Sequence, residues 1–540
     1  MKKLMKFFWI GVFVITIILL NINGIIAAER PLRTNWTWPA RIDPAIGVDT
    51  TSTVALINLY DALVFPDVNG DPQPHVAESW KVSDDGLSWT FYIRKGIKFH
   101  DGSELTASDV KFSFDRLRTI GRGYAFFFLG QEMSAEVIDT FTVNIYLERS
   151  SGPFLQTLMY FFILNEDLVR ANIEKTGEYG ELGDYGKEYL VSHDASSGPY
   201  MMKDFSMATS LTMVVNPNYF LPIDPNSPDE FEMIGTTEAI TVRTLLAKRE
   251  LDIGDVYQAP ENLETLKNIE GIEIAQFPVP AVWNLMMNTK KPPTDDIHFR
   301  KAMAWATDYD TIVNYIWKGS IQARGPIPHI LSSHDPTVFQ YHRNLDKAME
   351  ELKQSKYYGQ LEKYPVELHW CTESAEEEKP AMVFMSNMAD IGIEVKVVSV
   401  PWMLLLKEEL SLETSPTIIC AGSNSPYAEA GGMLELRYSS KGVGNPNQNE
   451  WLQDPKFDAM LEDALATVDK DERFAKYNKL QHYIVDLCPT IWLVDRILCS
   501  PFQSSYVDWY VDEPFSPIKG HYMVVRNIKI YPEKKAALLK

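Results

Sequence analysis

A chain of 540 residues is too long for a single hydrophobic core and implies two or three domains. Apolar residues at 45% and charged residues at 23% are ordinary for a soluble globular protein. A formal net charge of −22 argues against nucleic acid or anionic lipid as a partner.

Lys2, Lys3 and Lys6 precede an apolar run from Phe7 to Leu20, and Ala27 and Ala28 lie a few residues on. This order describes a secretory signal peptide over residues 1–28, and hence export to a periplasm. Ile25 or Ile26 is bulky for the third position before the cut. Residues 7–28 are also long enough to span a bilayer, so an uncleaved anchor is the alternative. No Cys follows the apolar run to carry a lipid. Cleavage would remove three Lys and no acid, taking the charge to about −25.

Thr34 to Trp38 then reads as an opening strand and Thr53 to Leu63 as a helix, with Leu56, Leu59 and Leu63 on one side. Asp67-Val-Asn-Gly-Asp71 faintly resembles a calcium loop but lacks its downstream Gly and Glu. Trp80 to Val82 and Trp89 to Ile93 are apolar strands around Ser83-Asp-Asp-Gly86, where Gly suits a positive φ. Thr106 and Asp109 form a capping box ahead of a helix carrying Val110, Phe114 and Leu117 on one face. Val143 to Leu147 and Leu211 to Val215 read as strands, and Thr241 to Ala247 as a short helix. A strand ending in Met286-Met-Asn288 leads through Lys291-Pro-Pro293 to a helix burying Phe299, Ala302, Met303 and Ala306. A second helix is expected from Asp310 to Trp317, stopping at Gly319. Asn344 opens another. Val366 to Trp370 and Ile391 to Val400 are apolar strands, and Asp454 to Asp486 is strongly helical, with Phe457, Met460, Leu461, Ala464 and Leu465 on one face.

Three of these stretches together resemble a known family. His75 to Phe114 (HVAESWKVSDDGLSWTFYIRKGIKFHDGSELTASDVKFSF) is the first, Ser197-Gly-Pro-Tyr200 with Asn216-Pro-Asn-Tyr219 the second, and the run from Asn288 to Asp308 the third. They resemble the large periplasmic solute-binding proteins of ABC importers, the peptide, nickel and opine class of extracellular solute-binding protein family 5. Relatives carry L-x-x-G-E-x-D near Leu251-Asp-Ile253; here Lys248 or Arg249 replaces the Gly. The resemblance implies an α/β, two-lobe periplasmic binding protein fold of the class II type, with an extra inserted α+β domain and a ligand cleft between lobes. The implied limits are 29–65 with 196–285 and 506–540 for lobe one, 66–195 for the insert, and 286–505 for lobe two.

Enzyme motifs are missing: there is no GxSxG elbow, HExxH, P-loop or GxGxxG, and the ten His show no pair at helical ligand spacing. No catalytic activity, metal or cofactor is expected. A binding protein needs instead a cleft that closes on its ligand. Candidate cleft residues are Tyr124 and Phe126 in the aromatic loop after the signature helix, and Trp36 and Trp38 in the opening strand. Trp283 and Asn284 precede the third stretch, and Trp402 stands at a strand end. For Tyr124, Phe126 and Trp283, core packing is the competing reading.

Peptide-binding relatives place an Asp for the peptide's α-ammonium near Ile418 to Tyr427. Here no acid lies between Glu413 and Glu429; Ser423, Asn424 and Tyr427 occupy the stretch. A desolvated ammonium without a carboxylate forfeits about 2–5 kcal/mol. So the ligand either has no free α-amine or is held by another acid. An oligopeptide or peptide derivative fits the family's majority; an oligosaccharide suits Asn, Ser and stacking Trp. Nickel is disfavoured without a His cluster. The expected partners are that ligand and two transmembrane permease subunits, with the receptor itself a monomer. An exported hydrolase, or a chemoreceptor- or chaperone-like protein on the same fold, is the alternative class. Cys371, Cys420, Cys488 and Cys499 are scattered; free thiols are the expectation, with Cys488–Cys499 the conceivable pair.

Overall fold

A computed structural model describes residues 29–35, 41–206, 209–236, 238–444, 448–512 and 514–539. The signal segment, Trp36 and Trp38 therefore lie outside the described residues. No helix among those described is long and apolar enough to cross a membrane.

Three main sheets organise the chain. In the first, Pro31–Thr34 runs parallel to Glu230–Ile234, which continues antiparallel to Ser210–Val215 and then Tyr200–Ser206. The second is antiparallel, in the order Ala77–Val82, Ser88–Ile93, Thr142–Leu147 and Met133–Asp139. Its hairpin turns at Gly86 (φ +70°), where Asp85 accepts from Ser83 Oγ and Leu87 N. Trp89, Phe91 and Ile93 point inward with the period of two that one buried face requires. The helix Ala107–Ile120 covers this sheet. Asp109 Oδ2 accepts from Thr106 N at 2.8 Å, completing the capping box. Val110, Phe114 and Leu117 are buried, each contributing about 1.5–3 kcal/mol.

The third sheet has six strands, in the order Ile321–Gln322, Thr490–Gln503, Ile272–Met287, Ile418–Asn424, Val366–Cys371 and Val395–Val400. Two long strands join it to the first sheet. Residues 272–278 pair with 497–503, beside the bridges from Ile253 to Thr34 and Phe502. Beyond a break in register between Pro278 and Val282, pairing resumes with Val282 opposite Asp495 and with Ile418–Asn424 on the other flank. Pro278 and Pro280 have no N–H to continue the ladder, so the break falls where the chain passes between lobes.

Five expectations need correction. The opening strand covers Pro31–Thr34, and Thr53 to Leu63 is a helix only from Thr50 to Leu59, where Asp49 caps it and Tyr60 turns extended. Asp310 to Trp317 is a single α-turn followed by a π-turn, Ile312–Ile316, that delivers Trp317 onto Trp283. Only Val395–Val400 of the Ile391 to Val400 run is a strand, because Gly392 takes a left-handed turn (φ +78°). Asp454 to Asp486 is two helices, Pro455–Ala466 and Lys470–Leu487. Asp469 caps the second, and Ser150 and Gly152 hydrogen-bond the carbonyls of Ala466 and Leu465 at the end of the first. As expected, all four thiols are free. Ten residues of chain, mostly extended strand at about 3.3 Å each, separate Cys488 from Cys499.

Candidate functional site

The strands Val366–Cys371, Val395–Val400 and Ile418–Asn424 are parallel, and their carboxyl ends meet the crossing break, where Asn424 pairs with Ala281. Ligands of open α/β sheets bind outside the carboxyl ends of such strands. Glu373, Glu376, Trp402, Asn424 and Tyr427 lie on this rim or the loops leaving it.

Across the break stand Tyr257, in the segment after the Ile253 bridge, and Lys519 and Tyr522 near the carboxyl end of the chain. Arg496, on the second crossing strand, bridges the two sides. Its guanidinium lies 5.1 Å from the Trp283 ring centre, and Nη2 donates to Glu376 Oε1 at 3.3 Å. Tyr257 leaves 56% of its surface exposed, yet surrounding protein pushes its phenol pKa up. The charges of Arg496, Asp255, Asp49 and Glu376 all act on it. Glu435, on the helix Ala430–Tyr438, shows the same combination: its surface is exposed, but burial raises its carboxyl against the charges of Lys441 and Arg149. Lys379, in the helix Glu378–Ala389, ion-pairs with Glu261, in the helix Pro260–Leu266, at 3.1 Å.

The expected cleft residues divide into several groups. Tyr124 is buried; it shares a 2.6 Å hydrogen bond with Thr53 Oγ1 and stacks on Tyr160 at 4.3 Å. Phe126, two residues on, exposes 49% of its surface. Phe127 meets Tyr427 at 5.9 Å, and the buried Tyr427 hydroxyl has no hydrogen-bond partner among the described residues. Trp283 is packed among Trp317 (5.3 Å, nearly parallel), Arg496 and Gly422. Asn284 donates to Ser423 Oγ at 2.9 Å, and that hydroxyl also accepts from Arg437, itself paired with buried Glu450. Asn284 and Ser423 thus lie in a buried polar network on adjacent strands of the six-stranded sheet. Asn424, next along, is exposed. Trp402 exposes 47% and heads a short helix at the far edge of the sheet, so it does not join the others.

Glu429, the nearest acid downstream, is already held: both its oxygens accept from Arg473 at 2.7 and 2.9 Å in a buried pair. Asp67 is likewise occupied, accepting from Asn69 N and Asp71 N in a plain turn. Among the described residues no group of three His, Cys, Asp or Glu side chains is placed to hold a metal. Sequence reading missed Arg496, Lys519, Tyr257 and Glu435. They come from four separate elements, and no spacing along the chain relates them.

Residues 71–445 match the family model for bacterial extracellular solute-binding proteins, family 5 Middle. The chain is similar to a probable D,D-dipeptide-binding periplasmic protein of Escherichia coli, at 28% identity over 477 residues, covering 85% of this chain and 87% of that one. It is 26% identical over 507 residues to heme-binding protein A of Haemophilus influenzae, covering 88% and 89%. Its fold matches the ABC transporter-associated periplasmic binding protein of Helicobacter pylori in complex with the peptide STSA, with a TM-score of 0.74, 22% identity and coverage of 93% and 98%. Since the family model takes in more than half of its length, the chain belongs to the bacterial extracellular solute-binding proteins, family 5.

Proposed function

We propose that this non-enzymatic ABC-importer receptor captures a small zwitterionic, peptide-like solute between its lobes and hands it to the membrane permease. Lobe one comprises 29–65, 196–285 and 506–540, the insert 66–195, and lobe two 286–505, with the change of lobe at the crossing break. The receptor works as a monomer in the periplasm, delivered there by residues 1–28.

The reading is supported by charges of both signs around the half-exposed Tyr257, where Arg496 stands against Asp255, Asp49 and Glu376. A zwitterion satisfies both; a neutral sugar would leave both desolvated and unpaired, at a cost of several kcal/mol. The stacking of Trp283 on Trp317 also removes the best platform for a sugar ring. Glu435 supplies the carboxylate absent from the 414–428 stretch. Phe126, Asn424 and Tyr427 contact the solute, Trp402 serves the outer rim, and Trp36 and Trp38 are further ligand contacts in this proposal.

Native mass spectrometry of protein purified without refolding tests this reading. It should reveal a co-purified solute with both an amine and an acid group; a neutral oligosaccharide would refute it. In a thermal-shift screen, a ligand at 100 times its Kd should add about 2.7 kcal/mol.

A further inference from the structure

Residues 66–195 are joined to the rest of the chain in two unlike ways. Towards residues 43–63 the joint is built from core. Arg116 pairs with Asp43 and His75 with Asp61, all four side chains buried. Tyr124 shares its hydrogen bond with Thr53, and Tyr60 packs on Phe162 at 6.3 Å. Parting these groups would open apolar core to water, so this joint is permanent.

The joint to residues 427–470 is lighter. Ser150 Oγ donates to the Ala466 carbonyl at 2.9 Å, and Gly152 N to the Leu465 carbonyl at 2.8 Å. Lys470 pairs with Asp71, with side chains 42% and 30% exposed. Phe127 meets Tyr427, and Gly70 lies against Ala428. Water can replace each of these polar partners at little cost, as in domain contacts that open. The fit is nonetheless close. A Cβ on Gly152 would overlap the Thr467 carbonyl oxygen, and one on Gly86 would come within 2.9 Å of Val468 Cγ2. Arg473 braces the far side: it donates to the carbonyls of Thr467 and Val468 while Glu429 holds its guanidinium. Two turns, at 83–86 and 150–152, thus grip a stiffened turn at 465–468.

From this contrast we infer that the insert is a clasp: bolted to lobe one, it grips the 465–470 turn of lobe two and biases the empty receptor towards its shut form. The inference rests on the lobe limits proposed above. Lobe two can swing about the crossing break only if the lighter joint parts, while the core-built joint moves as one with lobe one. Contacts made in the shut form alone shift the population towards it. A solute held between the lobes gains apparent affinity as the shut fraction grows.

Gly152→Ala is a wedge confined to this joint. Gly152 is not in the left-handed region, and the atoms nearest the new methyl belong to Thr467 and Arg473. Val468→Trp wedges the joint from the opposite side, in a half-buried surface turn, and decides alone if Gly152→Ala fails to fold. Small-angle X-ray scattering of full-length protein, as purified and after stripping by denaturation and refolding, reads the shape. Circular dichroism confirms that each variant is folded. Stripped wild type should be more compact than either stripped wedge, with a smaller radius of gyration and unchanged circular dichroism; that result upholds the clasp. Wedges no more extended than stripped wild type overturn it. In that case, equal expansion of all three proteins on stripping keeps the two-lobe reading and removes only the clasp. If no protein changes shape on stripping or wedging, capture between moving lobes falls as well.

Discussion

Asp61 is one carboxylate on which three distant stretches of sequence converge. His75 Nε2 lies 2.8 Å from Oδ1, Ser197 Oγ donates to Oδ2 at 2.8 Å, and Tyr219 Oη donates to Oδ1 at 2.9 Å. His75 opens the signature, Ser197 belongs to the Gly-Pro-Tyr stretch, and Tyr219 closes Asn-Pro-Asn-Tyr. Burial by itself would push the Asp61 pKa up, but these hydrogen bonds and the His75 charge hold it down. Arg116, within the same signature, makes a buried two-pronged pair with Asp43 at 2.7 Å. Arg300 donates to the carbonyls of Thr294, Leu487 and Cys488, capping a helix end. The diagnostic residues thus tie distant stretches of the chain together. Arg116→Ala should cost about 3–5 kcal/mol by stranding the Asp43 charge. Arg116→Met combined with Asp43→Leu should recover most of that in urea unfolding; equal loss in both would show that the pair itself stabilises.

His521 makes a further residue-scale prediction. Burial, aided by Arg526 and His75, lowers its pKa to about 3, and its Nε2 has no hydrogen-bond partner among the described residues. Below the unfolded value of about 6.5 the unfolded chain takes up a proton that the folded chain refuses. This group's contribution is therefore constant above about 6.5. It should erode by up to 1.4 kcal/mol per pH unit as pH falls towards 3. His521→Phe should flatten the dependence of melting temperature on pH between 6 and 4; an unchanged slope would assign acid sensitivity elsewhere.

At the scale of elements, local rules are followed where the chain has one partner and broken where it has two. The Ala107–Ile120 helix forms where its capping box and apolar stripe require it. The helical run after Asp454 is interrupted at 467–469 because the insert docks there, as Ser150 and Gly152 show. Gly198 marks another close approach: a Cβ there would come within 2.3 Å of the Leu59 carbonyl. Arg249 is the opposite case. Relatives place a Gly near it, and here a long side chain is held at φ +58°, a conformation costing a non-glycine residue about 1–2 kcal/mol. Arg249→Gly should raise stability by up to about 1 kcal/mol, read as a higher chemical-denaturation midpoint. No gain would mean that added unfolded-state entropy cancels the relief of strain.

For the whole molecule, function depends on two lobes joined by strands with a proline-broken ladder. Lys379–Glu261 joins two distant helices, with side chains 60% and 73% exposed; exposed pairs of this kind contribute little. Lys379→Ala should change ligand affinity less than about fivefold, with the loss shrinking in high salt. A tenfold or larger loss would instead make the pair a principal latch.

The amino-acid order by itself determined the family, the two-lobe α/β class and most secondary elements. Turn glycines, caps and apolar periods act over a few residues and can be read where they stand. Tertiary structure alone decided which polar groups remain free for a ligand. Ser423 and Asn284 look available in sequence but are consumed by Arg437 and its network, while Arg496 and Tyr257 draw their surroundings from Trp283, Glu376 and Asp49, more than a hundred residues away. A side chain's desolvation and its partners depend on the packed neighbourhood, and the linear order carries no local trace of that neighbourhood.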